Sequence, residues 1–457
     1  MTFPRRGRPA RLPRGRGATG LESDAAARCH NPEVAIPPRS WLVFLALPLA
    51  ASLAAAGEDW PQFRGSARDG LSPAAGLLRA WPEGGPEVLW RVEACQGYAG
   101  PAVHGGRVVF NDYDTEAGEW LVRCLALADG GELWRFAEKR RIRPNHGITR
   151  TVPALDGERV FALDPKCVLH CLDAGSGQER WRRNLVEDYG TRIPAWYNGQ
   201  CPLIEDGRVL IAPAGQALVV ALDKQGGQEL WRTPNPAGWL MSHASLMPAE
   251  LGGVKQYLYC VLQGVLGVSA ADGALLWFFP FKFNVAVAPS ALAVDGERVF
   301  VTAGYDAGSA MIRVRREEDA FVPELVFQLS TNEWNSEVHT PILYDGHLFA
   351  VGKKRRGLFT CLDLDGGIRW TSEGRASFGL GGYILADGMF FVLDGDTGTL
   401  RLVQAGTSGY VELASAQILS GNDVWAPPAL VDGRLLMRDM GQLVCVSVAA
   451  PKEAGGE

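Results

Sequence analysis

The stretch PALDGERVFAL, Pro153 to Leu163, holds a whole structural sentence: a proline, a short apolar strand, an Asp-Gly turn and a second strand that alternates apolar and polar residues. Asp-Gly between two such strands favours a tight hairpin, because it supplies the positive φ angles that a two-residue turn requires. The phrase recurs. It is found at Pro101 (PAVHGGRVVF), Pro202 (PLIEDGRVLIA), Pro289 (PSALAVDGERVFV), Pro341 (PILYDGHLFAV) and Pro428 (PALVDGRLLM), with weaker copies at Ser245 and Gly382. The eight starts are separated by 52, 49, 43, 44, 52, 41 and 46 residues. A period in the forties with several strands per unit is the mark of a β-propeller blade.

The second half of each unit is a strand, a Gly-bearing turn and a strand that carries Trp. CLDAGSGQERW ends at Trp181 and ALDKQGGQELW at Trp231, with Trp134, Trp277 and Trp370 in the same place. One large aromatic per unit fills the wedge between neighbouring sheets. Blade five is predicted to use Phe327 instead, and blade seven has no aromatic there. The eighth unit, Pro428 to Val448, has only three strands, and the piece EVLWRV, Glu87 to Val92, carries Trp90 in the blade-ending pattern. Pairing these two pieces would close a ring and remove two exposed edges. The sequence thus predicts an all-β chain: an eight-bladed β-propeller of four-stranded antiparallel blades over 87–448, closed by an N-terminal strand. Two packed β-sandwich domains are the competing fold, and they leave the complementary ends unexplained. Residues 57–86, which include DWPQFRGSARDG (Asp59 to Gly70), are expected to pack on the ring, and 449–457 to form a disordered tail.

The Ala-x-Asp-x-x-x-Gly-x-x-x-Trp pattern, complete from Ala221 through Asp223 and Gly227 to Trp231, resembles the tryptophan-docking motif of quinoprotein dehydrogenases. The copy from Cys171 to Trp181 differs only in its first residue. The likeness runs over about 360 residues and, through DWPQFRG, into a segment often found at the head of secreted bacterial members of the PQQ-like repeat family. The resemblance implies the propeller fold. It leaves activity open, because the family includes dehydrogenases that use pyrroloquinoline quinone with Ca²⁺ as well as the outer-membrane assembly factor BamB, which uses the ring to bind proteins. The vicinal Cys pair that dehydrogenases often carry is missing here, as is the haem-attachment motif C-x-x-C-H, so the chain is more similar to the non-enzymatic branch.

Residues 1–56 combine six Arg between Arg5 and Arg16 with an apolar run from Trp41 to Ala56 that ends in small residues, the plan of a signal peptide. Export to the periplasm or beyond, with cleavage before Gly57, is the expectation, and an uncleaved anchor is the alternative. Cleavage removes eight Arg and three acids, leaving 37 basic against 48 acidic side chains and a net charge of about −11. Nucleic acid is therefore not an expected partner. Cys124, Cys171, Cys361 and Cys445 fall at matching places in separate blades, too far apart to bridge, and are predicted to be buried thiols.

The segments just before the blade openings differ from the rest of the repeat. They gather His146, Arg150, Trp196, Asn198, Trp239, His243, Trp334, Asn335, Glu337, His339, Asn422, Asp423 and Trp425. In a propeller such segments lead to the strands that line the central channel, so these residues are candidates for a ligand site at its mouth. Aromatic faces with amide, imidazole and carboxylate groups suit a flat polar ligand, a sugar or a partner loop; the plainer alternative is that the Trp rings plug the channel and the amides cap loops. Three His on separate loops suggest a metal site only weakly. Glu337, Asn422 and Asp423 have the ligand types of a calcium site beside a quinone. The expected function is a monomeric, non-catalytic binding or scaffold propeller without cofactor, engaging an envelope protein, a peptide or an extracellular carbohydrate. A dehydrogenase of alcohols or sugars using pyrroloquinoline quinone and calcium is the alternative.

Overall fold

The computed structural model describes residues 59–143, 148–352, 357–421 and 423–451. Each repeat unit forms one antiparallel sheet whose strands pair in chain order, and eight such sheets form an eight-bladed β-propeller. Blade one shows the logic. Its strands are Ala102–His104, Arg107–Asp114, Glu119–Ala126 and Glu132–Lys139; the middle two are almost wholly buried, while the last alternates between solvent and the neighbouring blade. Two-sided burial explains the apolar stretches Val108 to Phe110 and Trp120 to Val122 of the middle strands, which also bury Asn111, Asp112 and Arg123, and the half-exposed outer strand keeps its period of two.

Innermost strands of neighbouring blades touch, as Ala102–His104 does with Ala154–Leu155 on one side and with Ala429–Val431 on the other. The ring closes as the pattern predicts. Val88–Glu93 is the outer strand of blade eight, where Val88 lies opposite Val446 and Trp90 opposite Cys445.

Five blade-ending aromatics, Trp90, Trp134, Trp181, Trp231 and Phe327, rest on a turn glycine of the next blade. A methyl group added to Gly177 would come within 2.5 Å of Trp134, at Gly227 within 2.7 Å of Trp181, and at Gly130 within 2.9 Å of Trp90. The indole N–H groups of Trp90, Trp134 and Trp370 then donate to backbone carbonyls of Leu127, Ala174 and Gly406 at 2.9–3.0 Å. Phe327 takes the same seat over Gly366. Trp277 departs from the pattern, donating to Gln256 of its own blade at 2.7 Å. The eight described cysteines are free thiols, and seven of them are buried.

The segment before the ring crosses its axis. Leu155 of blade two donates its N–H to Pro61, and Arg68 donates to the carbonyls of Cys201 and Pro202 in blade three. Arg64 donates to Thr340 (2.6 Å) and Pro341 (2.9 Å) of blade six, and Leu71–Ser72 adds a parallel fifth strand to blade seven beside Leu385 and Ala386. In an eight-membered ring, blades two and six face each other, as do three and seven. A chain bonded to both pairs must span the channel. Within the stretch expected to be a tail from 449, Ala449 pairs with Leu77 and Ala450 donates to Gly76. Residues 1–58, and with them the basic stretch and apolar run, lie outside the described residues, as do 353–356 and 452–457.

Candidate functional site

Above the crossing segment lies a cavity of about 480 Å³. Phe63 of that segment lines it from below. Six of the residues singled out from the sequence meet around it: Arg150, Trp196, His243, Glu337, His339 and Trp425. Tyr98 and Tyr305 join them, and neither was legible in the sequence, because Tyr98 follows the closing strand and Tyr305 sits in a hairpin within blade five.

Local structure explains how Trp196 reaches the axis. After blade two the chain makes a short helix, Leu185–Tyr189, capped by the Asn184 side chain and stopped by Gly190 at φ 67°. It then turns inward through Trp196 (φ 60°) and Tyr197 (φ 70°), both left-handed. Tyr305, Asp306 and Asp423 share that backbone region. An aromatic residue there costs on the order of 1–3 kcal/mol, and such strain gathers at binding sites. Two ring pairs stand at the mouth: Trp196 on Tyr305, both left-handed, with centroids 5.9 Å apart and nearly parallel, and Tyr98 on Trp425 at 4.9 Å.

Arg150 lies between these pairs. Its guanidinium stands over the Tyr98 ring, 5.6 Å from the centroid, and Nη1 donates to the carbonyls of Trp196 and Ile148. No carboxylate forms an ion pair with it among the described residues, and burial pushes its pKa down to about 10. A half-buried cation held by carbonyl dipoles and the Tyr98 ring attracts an anion entering the cavity.

The imidazoles are held by the backbone. His243 Nε2 meets the Ala195 carbonyl at 2.8 Å and His339 Nε2 the Leu380 carbonyl at 3.1 Å, so each ring donates from Nε2. Burial pushes both pKa values down to about 4, helped at His243 by the charge of Arg150. Both rings are neutral at pH 7. On the other side of the mouth, Tyr98 donates its hydroxyl to Asp423 at 3.2 Å.

The remaining candidates point elsewhere. Asn198 is buried and accepts from Gln200 N, shaping the turn after Trp196. Trp239 stacks on Phe278 at 4.1 Å, on the flank of blade four. Trp334 is buried in the wedge between blades five and six against Phe300 and Gly352. Asn335 donates to the Ala303 carbonyl at 3.0 Å. His146 and Asn422 lie outside the described residues. Among the described residues no group of three or more His, Cys, Asp or Glu is placed to hold a metal ion.

The chain resembles known proteins in both fold and sequence. The family model described as outer membrane protein assembly factor BamB matches residues 117–372. BamB of Yersinia pestis is 26% identical over 301 residues, which cover 63% of this chain and 71% of that protein. Among solved structures, quinohemoprotein alcohol dehydrogenase from Comamonas testosteroni aligns with a TM-score of 0.59 at 12% identity, over 88% of this chain and 82% of its own. BamB from Moraxella catarrhalis aligns with a TM-score of 0.54 at 14% identity, over 80% and 98% respectively. Identities this low establish a common fold and leave the chemistry open.

Proposed function

This chain belongs to the family of the outer membrane protein assembly factor BamB, and on that premise we propose that it is a non-catalytic propeller of the cell envelope whose loop-lined mouth binds a protein partner. The observation that carries the reading is the mouth itself: two stacked ring pairs, one of them on left-handed backbone, around a half-buried guanidinium that no carboxylate among the described residues neutralises. Such a site offers a partner apolar faces and one anchoring charge. Export fits the same reading through the basic stretch and apolar run before Gly57, and no helix of the described residues is long and apolar enough to cross a membrane.

The chemistry of the site supports binding over catalysis. A general acid or base works best with a pKa near the working pH, whereas both imidazoles sit near 4 with Nε2 committed to a carbonyl. The residues present do not fit quinone and calcium either. The described carboxylates do not converge as cation ligands, and Cys201, which lines the cavity, has no adjacent cysteine.

The test uses the mature chain from Gly57. Immobilised protein is expected to retain an envelope protein from a membrane extract, and the double variant Arg150→Ala/Trp196→Ala to lose it while keeping its far-UV spectrum. Addition of pyrroloquinoline quinone and Ca²⁺ is expected to leave the absorbance of the protein unchanged. Stoichiometric uptake of the quinone with dye reduction by an alcohol would overturn the reading.

A further inference from the structure

We propose that a basic trough leading outward from the mouth, over the rim of blade two, docks an acidic, extended peptide segment of the partner. The proposal deepens the protein-binding reading above and rests on it. Two adjoining grooves make the trough. The inner one, about 740 Å³, is lined by Arg141, Arg143, Lys166, Ile193, Trp196 and Tyr197 among others and has no carboxylate in its wall. The outer one, about 690 Å³, shares Arg141, Lys166 and Ile193 with it and continues past Arg182 and Arg183 to the helix Leu185–Tyr189. Trp196 belongs to both the inner groove and the cavity, so the trough opens into the mouth.

Charge identifies the occupant. Along the outer groove, cations are largely matched: Arg140 pairs with Glu138 and Asp164, and Arg182 with Glu138 and Glu179. Closer to the axis the matching stops. Arg141, Arg143, Lys166 and neighbouring Arg192 have no ion pair among the described residues, and the three arginines are exposed. A run of unmatched cations is out of keeping with a mature chain of net charge about −11. Beyond them, at the inner end, stands Arg150, likewise without a carboxylate. The unmatched positive charge thus runs along the inner groove to the mouth, whereas Glu138, Glu187 and Asp188 stand in the wall of the outer one.

The non-ionic walls decide what kind of anion fits. Ile193 is 39% exposed, and Pro194, Tyr197 and Trp196 stand beside it. Apolar and aromatic faces interleaved with cations suit alternating side chains of an extended peptide, one row acidic and the other apolar. Unmatched charge of this kind acts over about a Debye length, so it steers encounter and makes affinity depend on salt.

The test measures fluorescence anisotropy of a labelled twelve-residue peptide alternating Asp or Glu with Leu or Phe, against a copy with Asn and Gln in place of the acids. The mature chain is expected to bind the acidic peptide, with affinity that falls as salt rises, and not the amide copy. Arg141→Glu/Arg143→Glu/Lys166→Glu is expected to weaken binding on the order of ten-fold or more, since rim charges set the steering field. Arg143→Gln alone should give a smaller loss in the same direction. Lys255→Glu, an exposed cation on blade four, should give none. Equal binding by the triple variant, equal binding of the amide copy, or a trough-dependent affinity for phosphatidylglycerol vesicles or single-stranded DNA but not for the peptide would overturn the inference. If the peptide fails to bind while the mouth still retains a partner through Arg150 and Trp196, the trough assignment falls alone and the protein-binding reading stands.

Discussion

Gly227 and Gly207 both hold left-handed backbone, at φ 71° and 77°, yet their surroundings differ. A methyl group at Gly227 would strike Trp181 at 2.7 Å, whereas nothing lies within 4 Å of the same position at Gly207. Gly207→Ala is expected to cost about 1 kcal/mol from the dihedral alone. Gly227→Ala adds an aromatic clash on top of that and is expected to cost roughly 2–4 kcal/mol, read from urea midpoints. A second residue-scale expectation concerns His243 and His339. Their folded pKa values, about 4, lie below the ordinary 6.5, so the unfolded chain takes up protons first as pH falls. Their contribution is full above pH 6.5 and is lost from there down to about 4. Paired carboxylates such as Glu179, held near 2 by the bond to His170, weaken the fold only at lower pH. The thermal midpoint is therefore expected to be level above pH 7 and to fall between about 6.5 and 5. The variant His243→Gln/His339→Gln should be level through that window, and an unchanged slope in it would refute the assignment.

At the scale of elements, the closing strand and the axial segment carry the most weight. Trp90 is buried against Gly130 and Leu127, so Trp90→Ala is expected to cost about 3–5 kcal/mol. Deleting 57–93 removes the partner of Gln442–Ser447 and leaves an unpaired edge, which should produce concentration-dependent aggregates on size-exclusion chromatography that the undeleted protein does not form. Arg64→Met removes four donor contacts and strands the carbonyl of Pro341, while that of Thr340 keeps the Tyr383 hydroxyl, with an expected loss of roughly 2–4 kcal/mol. These elements differ in how well the sequence announced them. Blade openings and Trp endings were readable because Asp-Gly turns and period-two strands are local. The closing role of Glu87 to Val92 was readable because an eighth unit lacking a strand needs one. The path of Arg64 was not, since its acceptors in blade six lie 276 and 277 residues away. The site was half readable for a similar reason. Trp196 and Trp334 occupy the same kind of segment, yet a left-handed turn aims one at the axis while the other falls into a blade wedge. Sequence pattern supplies the residue type, and the backbone dihedral that aims it comes from packing.

Taken whole, the ring is a circular series in which an indole or phenyl ring of six blades meets the next blade, at Trp90, Trp134, Trp181, Trp231, Phe327 and Trp370. Tryptophan fluorescence thus reports contacts between blades, while far-UV circular dichroism reports strands within them. If closure makes the eight blades one cooperative unit, the two signals should follow a single urea transition. A fluorescence change that precedes loss of strand signal would mean that blades part before they unfold, as in an open repeat array. The segment carrying Arg64 and Arg68 has a topological consequence at this scale. With its floor braced against opposite walls, the central space is a cup and not a pipe. A polypeptide cannot be threaded through it, so whatever comes in must offer a free end or a bent loop and withdraw by the route it came.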